Sequence, residues 1–295
     1  MRLALHGSRP QIGGMSQTVT FAHLQSRSLI AVGGPDWRSF LQGLITQDVE
    51  TPDRETARFG ALLTPQGRLL YDLFVVEREE GAWLDVEAEH RDALMQRLMI
   101  YRLRAKVEIA ADETPVSILF SIDGAPPKPA NPRWVADGRL AELGWRGYGA
   151  DVPAGAVEAA EDEREAQKLR LGVPGPKDWG VDRTYPIEAN FDMLNGIAFQ
   201  KGCFVGQETT SRMKRRGVIK NRMLPIVFDG EAPPVGTEVL NGDLRAGEVL
   251  SGREGRAIAL VRLDRALGRE LTVEGRPARV EVPAWMAEAV AETAS

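Results

Sequence analysis

The alternation of apolar and polar positions along the chain predicts short strands interleaved with a few helices. Leu29 to Val32 reads as a strand. Asp36 then stands as an N-cap before Trp37, Phe40, Leu41 and Leu44, whose spacing gives a helix one apolar face. Gly60 to Leu63 and Leu69 to Val76 flank the turn sequence Thr64-Pro65-Gln66-Gly67, which predicts a hairpin, and Ala82 to Val86 is a further strand. From His90 to Tyr101 the period becomes helical, with Leu94, Leu98 and Tyr101 on one stripe and Met95 and Met99 beside it as core residues. Lys106 to Ile109 and Val116 to Ile122 complete an antiparallel sheet backed by helices, an α+β unit.

The second half changes character. A proline-rich surface connection runs from Ala125 to Pro132. The charged run Glu158 to Glu165 opens a helix, with its charges expected on a solvated face, and Gly172-Val173-Pro174-Gly175-Pro176 stops it. Beyond Arg222, strands are expected at Leu224 to Phe228, Glu238 to Leu240, Ala246 to Leu250, Ala257 to Val261, Leu271 to Val273 and Ala278 to Val282. Their spacing of roughly 8 to 12 residues suggests a small β-barrel.

Composition narrows the classes. A chain of 295 residues that is 43% hydrophobic fills a substantial core and favours two domains or three small ones. One cysteine excludes an internal disulfide framework, and alone it cannot hold an iron-sulfur cluster, which takes about four ligands. His6, His23 and His90 lack metal-ligand spacing. A net charge of -5 argues against general nucleic-acid binding, and no apolar run approaches the ~18 residues of a spanning helix. Residues 1 to 35 contain no acid and carry Arg2, Arg9 and Arg27, as an organellar presequence would. Gly7, Pro10, Gly13 and Gly14 break any amphipathic helix there, which favours a plain extension over residues 1–17, or Met15 as the initiator. A cytoplasmic location is expected, with the mitochondrial matrix as the alternative.

The candidate chemistry gathers around the cysteine, in Phe199-Gln200-Lys201-Gly202-Cys203-Phe204-Val205-Gly206-Gln207-Glu208. A lone cysteine is most often a small buried hydrophobe. Here Lys201 stands two residues before Cys203, on the same side of an extended segment, where a cation lowers a thiol's pKa. Gly202 and Gly206 allow sharp turns or close backbone approach.

From Tyr185 to Arg222 the chain reads YPIEANFDMLNGIAFQKGCFVGQETTSRMKRRGVIKNR, which closely resembles the signature of the YgfZ family, folate-binding relatives of the glycine cleavage T protein. Asn190, Leu194, Gly196, Ile197 and Phe199 match the run before the motif, and Lys201 to Glu208 match its core. Phe40 to Val49 and Leu62 to Val75 also look like family segments, so the resemblance covers about Leu29 to Val282. It implies two interleaved ferredoxin-like parts over 18–215, divided near 112–115, a barrel over 221–284 and a tail over 285–295, arranged around a central hole. It further implies a tetrahydrofolate ligand and iron-sulfur client or assembly proteins as partners.

Within that frame Glu188 and Glu208 are candidates for hydrogen bonds to a pterin, whose N–H groups suit a carboxylate, and Asn190 and Tyr185 could line the same pocket. Glu208 could equally serve a helix opening after Gly206. Arg212, Lys214, Arg215, Arg216, Lys220 and Arg222 form an acid-free cluster suited to a folate's carboxylate tail, or a solvated linker. Asp72 lies in the strand that carries the catalytic aspartate of the T-protein relatives, although alignment sets that aspartate on Tyr71. Two functions compete. One is a tetrahydrofolate-binding accessory factor for assembly or repair of iron-sulfur enzymes, with Cys203 as a redox-active or transiently bonding thiol. The other is a folate-dependent aminomethyltransferase with Asp72 as the acid. A thiol hydrolase would need His23 or His90 beside Cys203.

Overall fold

The computed structural model describes residues 17–216 and 219–293, so the expected N-terminal extension lies almost wholly outside the described residues. The first half of the body runs β1 (Val19–His23), β2 (Arg27–Gly33), α1 (Trp37–Gln42), β3 (Thr56–Leu63), β4 (Leu69–Arg78), β5 (Gly81–Glu87), α2 (Arg91–Arg102) and β6 (Glu108–Asp112). The second half adds β7 (Val116–Ser121), β8 (Trp134–Asp137), β9 (Trp145–Tyr148), β10 (Val157–Glu158), α3 (Glu161–Leu171), α4 (Pro176–Trp179) and α5 (Gln207–Arg216). All ten strands form one sheet in the order β10-β1-β7-β9-β8-β3-β4-β5-β2-β6. The two halves join where β3 and β8 pair in parallel, with Thr56 opposite Ala136 and Ala57 opposite Asp137.

Strand alternation sorts the side chains onto two faces. Leu73 and Val75 of β4 pack with Phe40 and Leu41 of α1 and Leu94 and Leu98 of α2. Phe74 and Val76 of the same strand turn the other way, into a core shared with Phe59, Ile187 and Phe191. The chain then closes a six-stranded barrel from β11 (Asn221–Phe228), β12 (Glu238–Asn241), β13 (Leu244–Arg253), β14 (Arg256–Arg262), β15 (Leu271–Val273) and β16 (Arg276–Val280). Leu224, Ile226, Val249 and Ala259 fill it. Sheet, helices and barrel together make an α+β architecture.

The departures from expectation have local causes. Asp36 precedes α1 but makes no side-chain cap; its carboxylate accepts the Lys106 N–H at 2.8 Å instead. Met99 is 47% exposed, because α2 offers only a narrow stripe around Leu94 and Leu98 to the sheet. The charged run on α3 is not wholly solvated, since Arg164 is buried, as is Gln167 one turn on. The strands β1, β8, β9 and β10 have no counterpart among the expected elements.

Candidate functional site

Cys203 is a free, exposed thiol on the segment between Phe191 and α5. The segment is fastened to the stretch after α1. Ala198 N–H donates to Thr46 O at 2.9 Å, and Val205 N–H to Gly43 O at 3.3 Å. Thr46 Oγ1 donates to Gly196 O at 2.6 Å while accepting the Ala61 N–H at 2.8 Å. Lys201 completes the attachment, its Nζ donating to Ile45 O at 2.8 Å and Gln47 O at 2.6 Å, with Phe204 buried beneath and its ring 5.4 Å from Nζ. Burial pushes the Lys201 ammonium down to about 8. Lys201 therefore spends two of its three donors on backbone carbonyls and fastens the loop, a part that its expected role beside Cys203 did not include.

The two motif glycines differ. Gly206 has φ +81, and a Cβ there would lie 2.7 Å from Thr64 O and 2.9 Å from the Gly67 Cα, so only glycine lets the hairpin turn pack against the start of α5. Gly202 has nothing within 4 Å of a Cβ position, so no crowding requires a glycine there. Gln207 opens α5, where Glu208 is the acid of the first turn, exposed beside the N-terminal end of the helix. His23 is hydrogen-bonded to Ser117 and His90 lies against Tyr71, so the described histidines have their contacts away from the thiol.

The residues expected around a folate do not converge. Glu188 accepts the Tyr185 N–H at 3.1 Å and the Asn221 side chain at 3.3 Å, which fastens the body to the barrel. Asn190 is fully buried, donates to Met223 O at 2.7 Å and accepts from Arg222 at 3.1 Å. Arg222 is drawn inward from the expected basic cluster: it is 3% exposed and forks onto Asp192 at 2.9 and 3.0 Å, a carboxylate that Lys214 also approaches at 4.0 Å. Arg212 and Arg215 are exposed on α5. Of the pair on β4, Tyr71 faces α1 and α2, whereas Asp72 lies on the inner face, with its carboxylate held by Arg27 at 3.1 Å.

That inner face holds what sequence reasoning missed. Asp85 of β5 accepts from Arg27 at 2.7 Å, Arg146 at 2.6 Å and Tyr148 at 2.9 Å. Asp137 takes Arg139 at 2.8 Å, Arg164 at 3.3 Å and Arg146 at 3.5 Å. The Arg146 guanidinium stacks 3.9 Å from the Phe74 ring, and Arg139 lies 4.8 Å from it. Burial raises both aspartates, but the guanidiniums outweigh it and hold Asp85 and Asp137 below the ordinary carboxylate range. Burial likewise brings Arg164 down to about 9. A cavity of about 40 Å³ adjoins the cluster, walled by Asp72, Phe74, Glu87, Arg139 and Trp179. It shares Ser26, Glu87, Glu161 and Lys168 with an outer cleft of about 410 Å³ that reaches Ser251 and Arg253 of the barrel. The inner cavity falls far below the roughly 300 Å³ at which small-molecule sites begin, whereas the outer cleft reaches that size.

Fold and site together define an α+β protein, a ten-stranded sheet joined to a six-stranded barrel, whose exposed thiol lines neither the inner cavity nor the outer cleft. The structure of glycine cleavage system aminomethyltransferase T from Bartonella henselae aligns at a TM-score of 0.74 over 92% of this chain and 87% of that one, at 18% identity, a likeness of fold. Residues 220–288 match the family model described as CAF17, C-terminal beta-barrel domain. The iron-sulfur cluster assembly factor IBA57 homolog, mitochondrial, of Pyricularia oryzae is 31% identical over 88% of this chain and 76% of its own length. Its Homo sapiens counterpart is 30% identical over 72% and 67%. The Neurospora crassa relative is 31% identical over 72% of this chain, which spans only 55% of that protein. The chain belongs to the IBA57 family of iron-sulfur cluster assembly factors, the YgfZ-related family named here by its IBA57 members. All three relatives are named as mitochondrial, which gives the cytoplasmic expectation no support.

Proposed function

We propose that this chain serves iron-sulfur cluster assembly or repair, in mitochondria as its relatives' names suggest, and that Cys203 is its working thiol. The observation that carries this reading is the exposed Cys203 on a segment whose two sides are pinned by Lys201 and Val205. An accessible thiol can bond a partner cysteine or donate one thiolate to iron, and the cluster's other ligands must come from an assembly or client protein. The test is replacement of Cys203 by Ala and by Ser in cells lacking the chain's own gene. Loss of iron-sulfur enzyme activity with normal protein levels supports the reading, and full activity overturns it.

A second element of the proposal is tetrahydrofolate as a ligand of the outer cleft. Its support is the size of that cleft and its mixed lining: Lys168 and Arg253, ion-paired with Glu165 and Asp162, would have to exchange those partners for a carboxylate tail, while Glu161 and Asp178, which accept from Ser26 and from Ser251 and Gly175, keep further lone pairs for ring N–H groups. Calorimetric titration of the purified protein with tetrahydrofolate tests it; Lys168→Glu should weaken binding, and no heat in the wild type removes folate. An aminomethyltransferase function is the less favoured alternative, because Asp72 is engaged by Arg27.

A further inference from the structure

The segment from Ala93 to Val107 contains no acid and carries Arg97, Arg102, Arg104 and Lys106, in a chain whose net charge is -5. Its inward residues, Leu94 and Leu98, are fully buried. Its outward ones are apolar where solvent would favour polar groups: Met99 is 47% exposed, Ile100 65% and Leu103 88%. These three cluster at the C-terminal end of α2, interleaved with exposed Arg102 and Arg104.

Leu103 is also held in a backbone conformation that leucine rarely adopts, φ 43 and ψ -106. Strain of that kind persists only where the surroundings enforce it. The enforcing contacts are present: Ala105 N–H closes a turn onto Arg102 O at 2.7 Å, and Asp36 binds both Lys106 N–H and, through its own N–H at 3.4 Å, Lys106 O. The turn is braced against α1 while its leucine points into solvent. The acids nearest in sequence are Asp92, at the other end of the helix, and Glu108, just beyond the turn.

We propose that this turn is an interfacial anchor that docks the protein on an anionic lipid surface. The arrangement has the chemistry of peripheral membrane contacts, with apolar side chains to enter the headgroup boundary and cations around them to meet acidic headgroups. Charge complementarity selects an anionic surface, and apolar side chains interleaved with cations match the insertion-plus-attraction chemistry of a bilayer contact. The anchor and the thiol loop share a support. Asp36 at the start of α1 holds the turn and Gly43 at its end holds Val205. Six helical residues span only ~9 Å.

The experiment is co-sedimentation of the full chain with vesicles of equal parts phosphatidylglycerol and phosphatidylcholine, beside vesicles of phosphatidylcholine alone. The chain is expected to partition onto the anionic vesicles only, and to leave them in high salt. Arg102→Glu/Arg104→Glu and Ile100→Asp/Leu103→Gly should each lower partitioning at least about tenfold. Leu103→Gly relieves the positive φ, and the other sites are exposed, so unchanged melting temperatures are expected and separate docking from folding. Failure to bind anionic vesicles, or binding that survives both double variants, overturns the proposal and points to an acidic protein as the occupant.

Discussion

The buried ion cluster and the thiol segment both place charge out of solvent, yet they treat it in opposite ways. Around Asp85 and Asp137 every guanidinium meets a carboxylate out of solvent. At the thiol segment one ammonium meets neutral carbonyls, and Cys203 itself has no such enclosure. The density of charged residues therefore marks structure in this molecule, whereas the accessible single group is the one to which the proposed function assigns chemistry. The largest break in the comparison is Asp85→Asn, which strips Arg27 and Arg146 of their shared partner. Removal of one partner from a buried pair costs about 3–5 kcal/mol. Urea denaturation followed by circular dichroism should show a loss of that size, and a loss under 1 kcal/mol would mean that the cluster is freely hydrated.

Acid probes the same cluster without mutation. Asp85 and Asp137 have depressed values in the folded chain, so the unfolded chain binds more protons as pH falls below about 3.9, the ordinary aspartate value. Their stabilisation is complete above that pH and is lost progressively as pH falls through the depressed values. Melting temperature measured from pH 6 to pH 2 should drop more steeply below about pH 4 in the wild type than in Asp137→Asn.

The barrel and the hairpin were legible because each rests on local alternation and turn residues. Thr64 to Gly67 announces its own turn, and strands β11 to β16 are short apolar runs that follow one another closely along the chain. The cluster was not legible, because its members come from β2, β4, β5, β8, β9 and α3 and meet only through the parallel joint between β3 and β8. One signal was available: Asp85 interrupts the apolar strand Ala82 to Val86, and a charge inside a buried strand demands a partner. Arg164 gave none, since a buried arginine within Glu161-Asp162-Glu163-Arg164-Glu165 reads like its solvated neighbours. The motif around Cys203 was legible as a motif, but the role of Lys201 was not, because its acceptors lie more than 150 residues away.

Lys201→Met is the intermediate test. It leaves the carbonyls of Ile45 and Gln47 without their donor while relieving a desolvated ammonium. A net loss of about 1–3 kcal/mol is expected at pH 7. The pH profile sharpens this assignment. Lys201 titrates near 8 in the folded chain against about 10.4 in the unfolded one, so between these values the unfolded chain binds more protons and wild-type stability gains with rising pH. The variant lacks that gain, so the gap between the two should change across pH 8 to 10. Parallel profiles would show that Nζ is not the buried group described.

The smallest expected effect bears most directly on function. Cys203 is exposed, so Cys203→Ala removes little packing and should alter unfolding free energy by no more than about 0.5 kcal/mol. The wild type should be labelled by a maleimide at a rate comparable with that of an unfolded thiol, whereas the variant should not be labelled and should fail to restore iron-sulfur enzyme activity in cells. A cost of several kcal/mol would place the sulfur in the core, where truncation leaves a cavity. The contrast with Asp85 would then collapse, because both regions would be structural and the motif would owe its composition to packing.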